Sequence, residues 1–241
     1  MGFLAKPLGY LLMWMYNFIG DYGITLIILT VLVKIVLYPL YSKQIVSTMK
    51  MSAVQPKVKE IQQKYAKDQE TMNRKISELY QEEGVSMTGG CMPSIVQMFV
   101  IMALFALLRT PMTYFGAMEN ADVMLFAIHE NFLWIKDLAQ PDKWILPVAA
   151  GIATFIAMSM NQTPSAGGNA QQMNVMNKMM KYLFPVMILV MARSYPAGLA
   201  LYWFISQVVQ VFYNLRFAKL KKEIREAAEA PKGKKKSKAR A

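Results

Sequence analysis

The stretch Gly23–Leu40, GITLIILTVLVKIVLYPL, decides how the rest of the chain is read. It is apolar almost throughout, and a helix over it would be about 27 Å long, close to the hydrocarbon thickness of a bilayer. One ammonium interrupts it, that of Lys34. A Lys at mid-membrane costs about 2.5–3.5 kcal/mol on insertion scales, so its presence needs a reason. Thr30 lies four residues before it and Tyr38 four after, so the three share a helical face. Two readings stay open. The lysine stem snorkels toward the interface marked by Tyr41 and Lys43, or the charge sits in a wet cavity between helices.

Composition points the same way. The 241 residues are 55% hydrophobic yet carry a formal charge of +12. Apolar residues gather in long runs and basic residues in separate blocks, which excludes an ordinary soluble globule. One Cys and one His rule out a disulfide within the chain and leave almost no ligands for a Cys/His metal site. His129 falls outside the apolar runs, so an intramembrane Ser–His pair is excluded too. We therefore expect no enzyme, no metal and no cofactor. The 21 Met suit either plain membrane-core filling or surfaces that accept many apolar shapes.

Outward from that stretch, the expected fold is all-α, a multi-pass membrane protein with five transmembrane helices. Residues 3–20 read as an interfacial amphipathic helix, with Leu4, Leu8, Leu11, Met15 and Phe18 at helical spacing and Tyr10, Trp14 and Tyr16 as headgroup anchors. A signal-peptide core is the rival reading, but no small-x-small site follows. Residues 23–41 are the first span, with Pro39 placed to bend its exit. Residues 42–88 are rich in both charges. Val54, Val58, Ile61 and Tyr65 share one face and Met72, Ile76 and Leu79 another, with Asp68 as an N-cap between them and Gly84 as a stop. This predicts a helical hairpin in water. The second span is 91–109. The loop 110–143 follows, with Phe132 and Trp134 resting part of it on the interface. The third span is 144–160, rich in Ala and Gly for close packing. A polar loop covers 161–178, the fourth span 179–194, and the fifth 197–215 after the SYPAG turn. The basic tail is 216–241, disordered toward its end. Lys and Arg concentrate in 42–90, 161–178 and 216–241, so the positive-inside rule puts these in the cytoplasm and the N-terminus outside.

Hydrogen-bonding groups at depth sit on three spans: Thr30 and Lys34 on the first, Ser94 and Gln97 on the second, and Trp203, Gln207, Gln210 and Asn214 as a stripe on the fifth. Facing lipid, each amide would cost several kcal/mol, roughly 2–7 by transfer scales, so the groups should face one another. No Asp or Glu lies in any span to pair with Lys34. One reading is a hydrated groove open to the cytoplasm. The other is helix–helix glue, each bond worth about 0.6 kcal/mol.

Two motifs carry a resemblance. GGCMPSIVQMFVIMALF at 89–105 and SYPAGLALYWFISQVVQ at 194–210 resemble the second- and fifth-span signatures of the YidC/Oxa/Alb membrane-protein insertase family. KYAKDQETMNRKISELYQEEGV at 64–85 is similar to that family's cytoplasmic hairpin. The short outer region resembles the Gram-positive form. The resemblance implies a bacterial plasma-membrane insertase that moves newly made proteins from ribosome to bilayer, alone or beside the Sec translocon. It puts the groove cation on Lys34, the groove glutamine on Gln97 and the fifth-span tryptophan on Trp203. The family usually has Arg where Lys34 stands, and the lipoprotein Cys often found in the Gram-positive form has no counterpart near residue 20. The implied partners are nascent membrane proteins, the ribosome through the basic tail and hairpin, the Sec translocon and the lipid bilayer. On this reading acidic segments meet Lys34 while the passenger helix leaves between the third and fifth spans. A small transporter or channel is the alternative. It would call for a second intramembrane ionisable group or inverted repeats, and the sequence has neither.

Overall fold

A computed structural model describes residues 2–84, 92–109, 121–160 and 170–229. Among these residues the chain forms ten helices: α1 Gly2–Ile19, α2 Tyr22–Val36, α3 Tyr38–Lys64, α4 Gln69–Glu82, α5 Met92–Arg109, α6 Ala121–Ala127, α7 Ile145–Met160, α8 Ala170–Ala192, α9 Ala197–Arg216 and α10 Ala218–Glu229. The all-helical reading therefore holds for them.

The run expected as one span over 23–41 is divided. α2 ends at Val36, and α3 leaves Leu37 at 56° to it. The cause is Pro39, which lacks an N–H and whose ring would meet the carbonyl four residues back, so the helix must restart. Pro39 then sits comfortably in the first turn of α3, where its missing donor costs nothing. At the other end of α2, Asp21 accepts from the Ile24 amide at 2.8 Å and caps the helix. No single described helix is long and apolar enough to cross a membrane alone; the bent α2–α3 pair is, and Met98–Leu107 and Ile145–Met160 are shorter apolar helices.

α9 is the centre of the bundle and packs against α7, α2 and α5. The main core joins Leu12 and Met15 of α1, Leu26 and Leu29 of α2, Leu104 and Leu107 of α5, Met124 and Leu138 beyond it, and Leu201 and Tyr202 of α9. α1 thus turns Ala5, Leu12, Met13 and Met15 inward, whereas Phe18 is 78% exposed. α7 meets α8 through Gly151, whose Cα lies where an added methyl would just touch Leu189 and the Pro185 carbonyl at 3.4 Å. α8 begins at Ala170, so helix reaches back into the segment expected as the loop 161–178; AQQMNVMN has no breaker to stop it.

The outward faces stay apolar. Ile24, Ile28, Leu32 and Ile35 form an exposed row on α2, and Val148, Ile152 and Phe155 another on α7. Uncovered apolar faces of this extent are at home in lipid. A second, smaller core lies apart from the first. Met51, Val54 and Val58 of α3 bury against Met72, Ile76 and Tyr80 of α4, each worth about 1.5–3 kcal/mol relative to exposure. Asp68 caps α4 by accepting from the Thr71 amide at 3.0 Å, and Gly84 follows the helix with φ +62°. Lys57 bonds Glu83 at 2.5 Å across the pair. α10 packs on α3, so the first part of the basic tail is helical; residues 230–241 lie outside the described residues.

Candidate functional site

The α2–α3 bend builds a small cage around Lys34. The side chain projects from the last turn of α2 and is only 4% exposed. Its ammonium donates to the Tyr41 hydroxyl at 3.1 Å and lies 4.6 Å from the centre of the Tyr41 ring. The Tyr213 hydroxyl, from α9, donates to the Lys34 carbonyl at 3.0 Å. This satisfies one of the carbonyls that the end of α2 leaves without an intrahelical partner. Tyr213 also meets the Tyr38 ring edge-on at 5.2 Å and the Tyr41 ring at 6.1 Å. Three tyrosines from two helices therefore close over the end of α2.

These ring and hydroxyl partners of Lys34 are neutral. A cation on an aromatic face gains about 0.5–2 kcal/mol. A hydrogen bond to a charged group adds about 1.5–3 kcal/mol. Together they are of the order of the insertion cost of a lysine. A carboxylate would hold the ammonium more strongly than a phenol does, because it adds the attraction of opposite charges. Thr30, one turn earlier, is buried and spends its hydroxyl on the Leu26 carbonyl at 2.6 Å. It shares the helical face of Lys34 without touching the cage.

The stripe on α9 divides in two. Trp203 donates from Nε1 to the Thr154 hydroxyl of α7 at 2.9 Å. Asn214 donates to the Ala157 carbonyl at 3.3 Å and accepts from Gln210 at 3.3 Å. These bonds join α9 to α7. Gln207 is half-buried on the same helix. Ser206 is different: it lies on the face of Tyr202 and Tyr213, is 1% exposed, and its hydroxyl has no hydrogen-bond partner among the described residues. A buried polar atom in that condition calls for water or an incoming polar group. Ser94 and Gln97 lie on α5, but their side chains fall outside the described residues.

Tyr41, Tyr213, Thr154 and Ser206 complete the site and were not among the residues the sequence singled out for it. Thr154 carries a readable signal, a hydroxyl in an otherwise apolar run. Tyr41 is two turns beyond Lys34, but only the bend brings its ring over the ammonium.

Above the cage, an apolar cleft of about 180 Å³ opens between Ile101 and Phe105 of α5, Ile188 and Met191 of α8, and Leu199 and Trp203 of α9. α7 and α9, by contrast, are tied by the Trp203 and Asn214 bonds. The Trp203 bond to Thr154 and the Asn214 bond to the Ala157 carbonyl close the α7–α9 side, whereas the cleft lies on the α5–α8 side of α9. Among the described residues no group of His, Cys, Asp or Glu is arranged to hold a metal.

Comparison with known proteins gives a consistent answer. Residues 14–224 match the family model described as 60Kd inner membrane protein. A curated membrane protein insertase YidC of Fusobacterium nucleatum subsp. nucleatum is 37% identical over 209 residues, covering 86% of this chain and 91% of that protein. Insertases of the same name from Syntrophobacter fumaroxidans and Wolinella succinogenes are 36% and 35% identical over 223 and 233 residues. They cover 87% and 96% of this chain, which spans only 36% and 40% of their lengths. A crystal structure of an active YidC insertase with its first transmembrane domain resolved shares the fold, with a TM-score of 0.60 at 24% identity. That match covers 87% of this chain and 45% of the other.

Proposed function

The chain belongs to the 60Kd inner membrane protein family, and from that premise we infer that it is a membrane protein insertase of the bacterial plasma membrane. Its substrates are newly made membrane proteins, and the bilayer is their destination. The observation that carries the mechanism is the Lys34 ammonium, buried between α2, α3 and α9 and held by the hydroxyl and ring of a tyrosine. A polar, acidic segment of a passenger offers a carboxylate. The carboxylate displaces the Tyr41 hydroxyl because it carries the opposite charge, which the phenol lacks. Ser206 offers a second polar contact on the same side. The passenger's apolar helix meanwhile leaves through the α5–α8–α9 cleft into lipid. No bond is made or broken; the gain is a shorter hydrocarbon path for polar groups.

In this reading the bent α2–α3 pair, α5, α7, α8 and α9 supply the five spans. α1 lies at the outer interface, and the α3–α4 pair and the tail lie in the cytoplasm, where they receive the ribosome and its nascent chain, with or without the Sec translocon. Gln97 and Ser94 complete the groove from α5, and Gln207 and Gln210 line its far wall. The deciding experiment is insertion of acidic- and neutral-tailed reporters in cells that depend on this copy, with Lys34→Ala and Lys34→Arg. Loss confined to acidic tails and restored by Arg supports the charge. Equal insertion by Lys34→Ala and the unaltered protein removes it from the mechanism.

A further inference from the structure

Between α6 and α7 the chain makes a tight turn over residues 132–135. Phe132 and Ile135 exchange backbone hydrogen bonds, at 2.8 Å from the Phe132 amide and 2.9 Å from the Ile135 amide. Leu133 and Trp134 form its tip. Leu133 has φ +53° and is the one non-glycine residue with positive φ among the described residues. Such positions normally take Gly, Asn or Asp, which reach the left-handed region with least steric penalty. The leucine gets no packing in return, since it is 75% exposed. Trp134 beside it is 48% exposed. Backbone strain kept for a side chain that stands three-quarters exposed points to a contact outside the protein.

The tip is firmly mounted. The Phe132 ring lies flat against Gly23 in the first turn of α2, so close that a Cβ there would fall 2.2 Å from it. Phe132 is thus the clamp that fixes the turn to α2. Ile135 and Leu138 are buried in the main core. The amides of Ala197 and Gly198, at the start of α9, donate to the carbonyls of Gln140 and Leu138, both at 2.9 Å. The tip therefore sits level with the first turns of α2, α7 and α9. At that level Trp144 and Ile145 are 61% and 55% exposed, and Lys136 and Lys143 flank the turn with exposed ammonium groups.

We propose that Leu133 and Trp134 form a wedge seated in the outer leaflet at the boundary of headgroups and acyl chains, with anionic phospholipid as its partner. Trp fits the headgroup level, Leu the first acyl carbons, and the two lysines the phosphates. The proposal rests on the outer placement of this turn in the reading above. Its test records lipid contact rather than insertion, so the two fail separately.

The full chain carrying Cys91→Ser and Leu133→Cys is labelled with an environment-sensitive fluorophore and placed in vesicles of phosphatidylcholine and phosphatidylglycerol. The label should be quenched by shallow spin-labelled lipid and resist aqueous iodide several-fold better than the same label at Gln140. Removing phosphatidylglycerol should reduce that protection. Leu133→Gly, read with the label at Trp134→Cys, should lose the protection while the unfolding temperature stays level or rises. Iodide reaching position 133 as freely as 140 overturns the proposal. So does shielding found only in cell-derived membranes, which would assign the tip to a protein partner. A fall in unfolding temperature for Leu133→Gly also overturns it, because the leucine would then be serving the fold.

Discussion

The two ends of α2 each hold a charge, and they hold it in opposite ways. At the end that the proposed orientation makes the outer one, the Glu130 carboxylate accepts from the Tyr22 amide at 2.8 Å and from the Tyr16 hydroxyl, and it sits at a helix N-terminus, where negative charge is favoured. It binds α1, α2 and the outer segment together. At the inner end, Lys34 sits at a helix C-terminus with a phenol and a ring as its partners. The outer charge is saturated by donors that nothing displaces cheaply. The inner charge is comfortable but exchangeable. On the proposed mechanism the contrast separates a residue that fastens the fold from one that meets a passenger, though both are ionisable groups packed beside tyrosines.

The largest expected effect tests the outer end. Glu130→Ala leaves the Tyr22 amide and Tyr16 hydroxyl without their acceptor and should cost about 3 kcal/mol of stability, read by thermal unfolding in detergent. Lys34→Ala should change unfolding far less, yet slow insertion of acidic-tailed reporters about tenfold, the equivalent of about 1.4 kcal/mol. Equal effects of the two variants on stability would collapse the distinction. Tyr41→Phe keeps the ring and removes the competing hydroxyl. Its bond to the ammonium is worth about 1.5 kcal/mol at the low end for a charged group, so acidic reporters should insert about tenfold faster. Unchanged or slower insertion would show that the hydroxyl does not compete.

pH separates the ends further. Burial, and then the adjoining Glu130 carboxylate, push the Tyr16 phenol up to about 12. A phenol raised in the folded state contributes stability that is whole below its ordinary value and is lost as pH climbs through the folded one. Unfolding temperature should therefore fall between about pH 10 and 12, and Tyr16→Phe should flatten that decline. The smallest effect is expected at Asp68. Hydrogen bonds from Thr71 hold its carboxyl below the usual range, so the cap is intact above that range and lost as pH falls through the depressed value. Asp68→Ala should shorten α4 slightly by circular dichroism at neutral pH and make no further difference in acid.

Much of this architecture is legible in the sequence where the cause is local. Asp68 caps because its side chain reaches an amide three residues on. Val54 and Val58 pair with Met72 and Ile76 because a charged segment leaves only one apolar face to bury. The site is legible only in outline. α1 is apolar on most of its surface, so the same spacing fits several inward faces, and it is Leu12 and Met13 that turn in while Phe18 turns out. Pro39 announces a bend, but its steric effect acts upstream, at Leu37. The Tyr41 cover follows from that bend and from α9, far along the chain, and no window of sequence contains both.

α3 runs from Tyr38 to Lys64, about 40 Å of helix with Pro56 in its interior, where one backbone hydrogen bond is missing. Tyr41 lies one turn from the pivot at Leu37, while the side chains that grip α4 sit toward the far end. A tug on the distal arm therefore passes Pro56 before it reaches the ring above Lys34. Whatever docks on the α3–α4 pair handles the long end of a lever whose short end covers the ammonium.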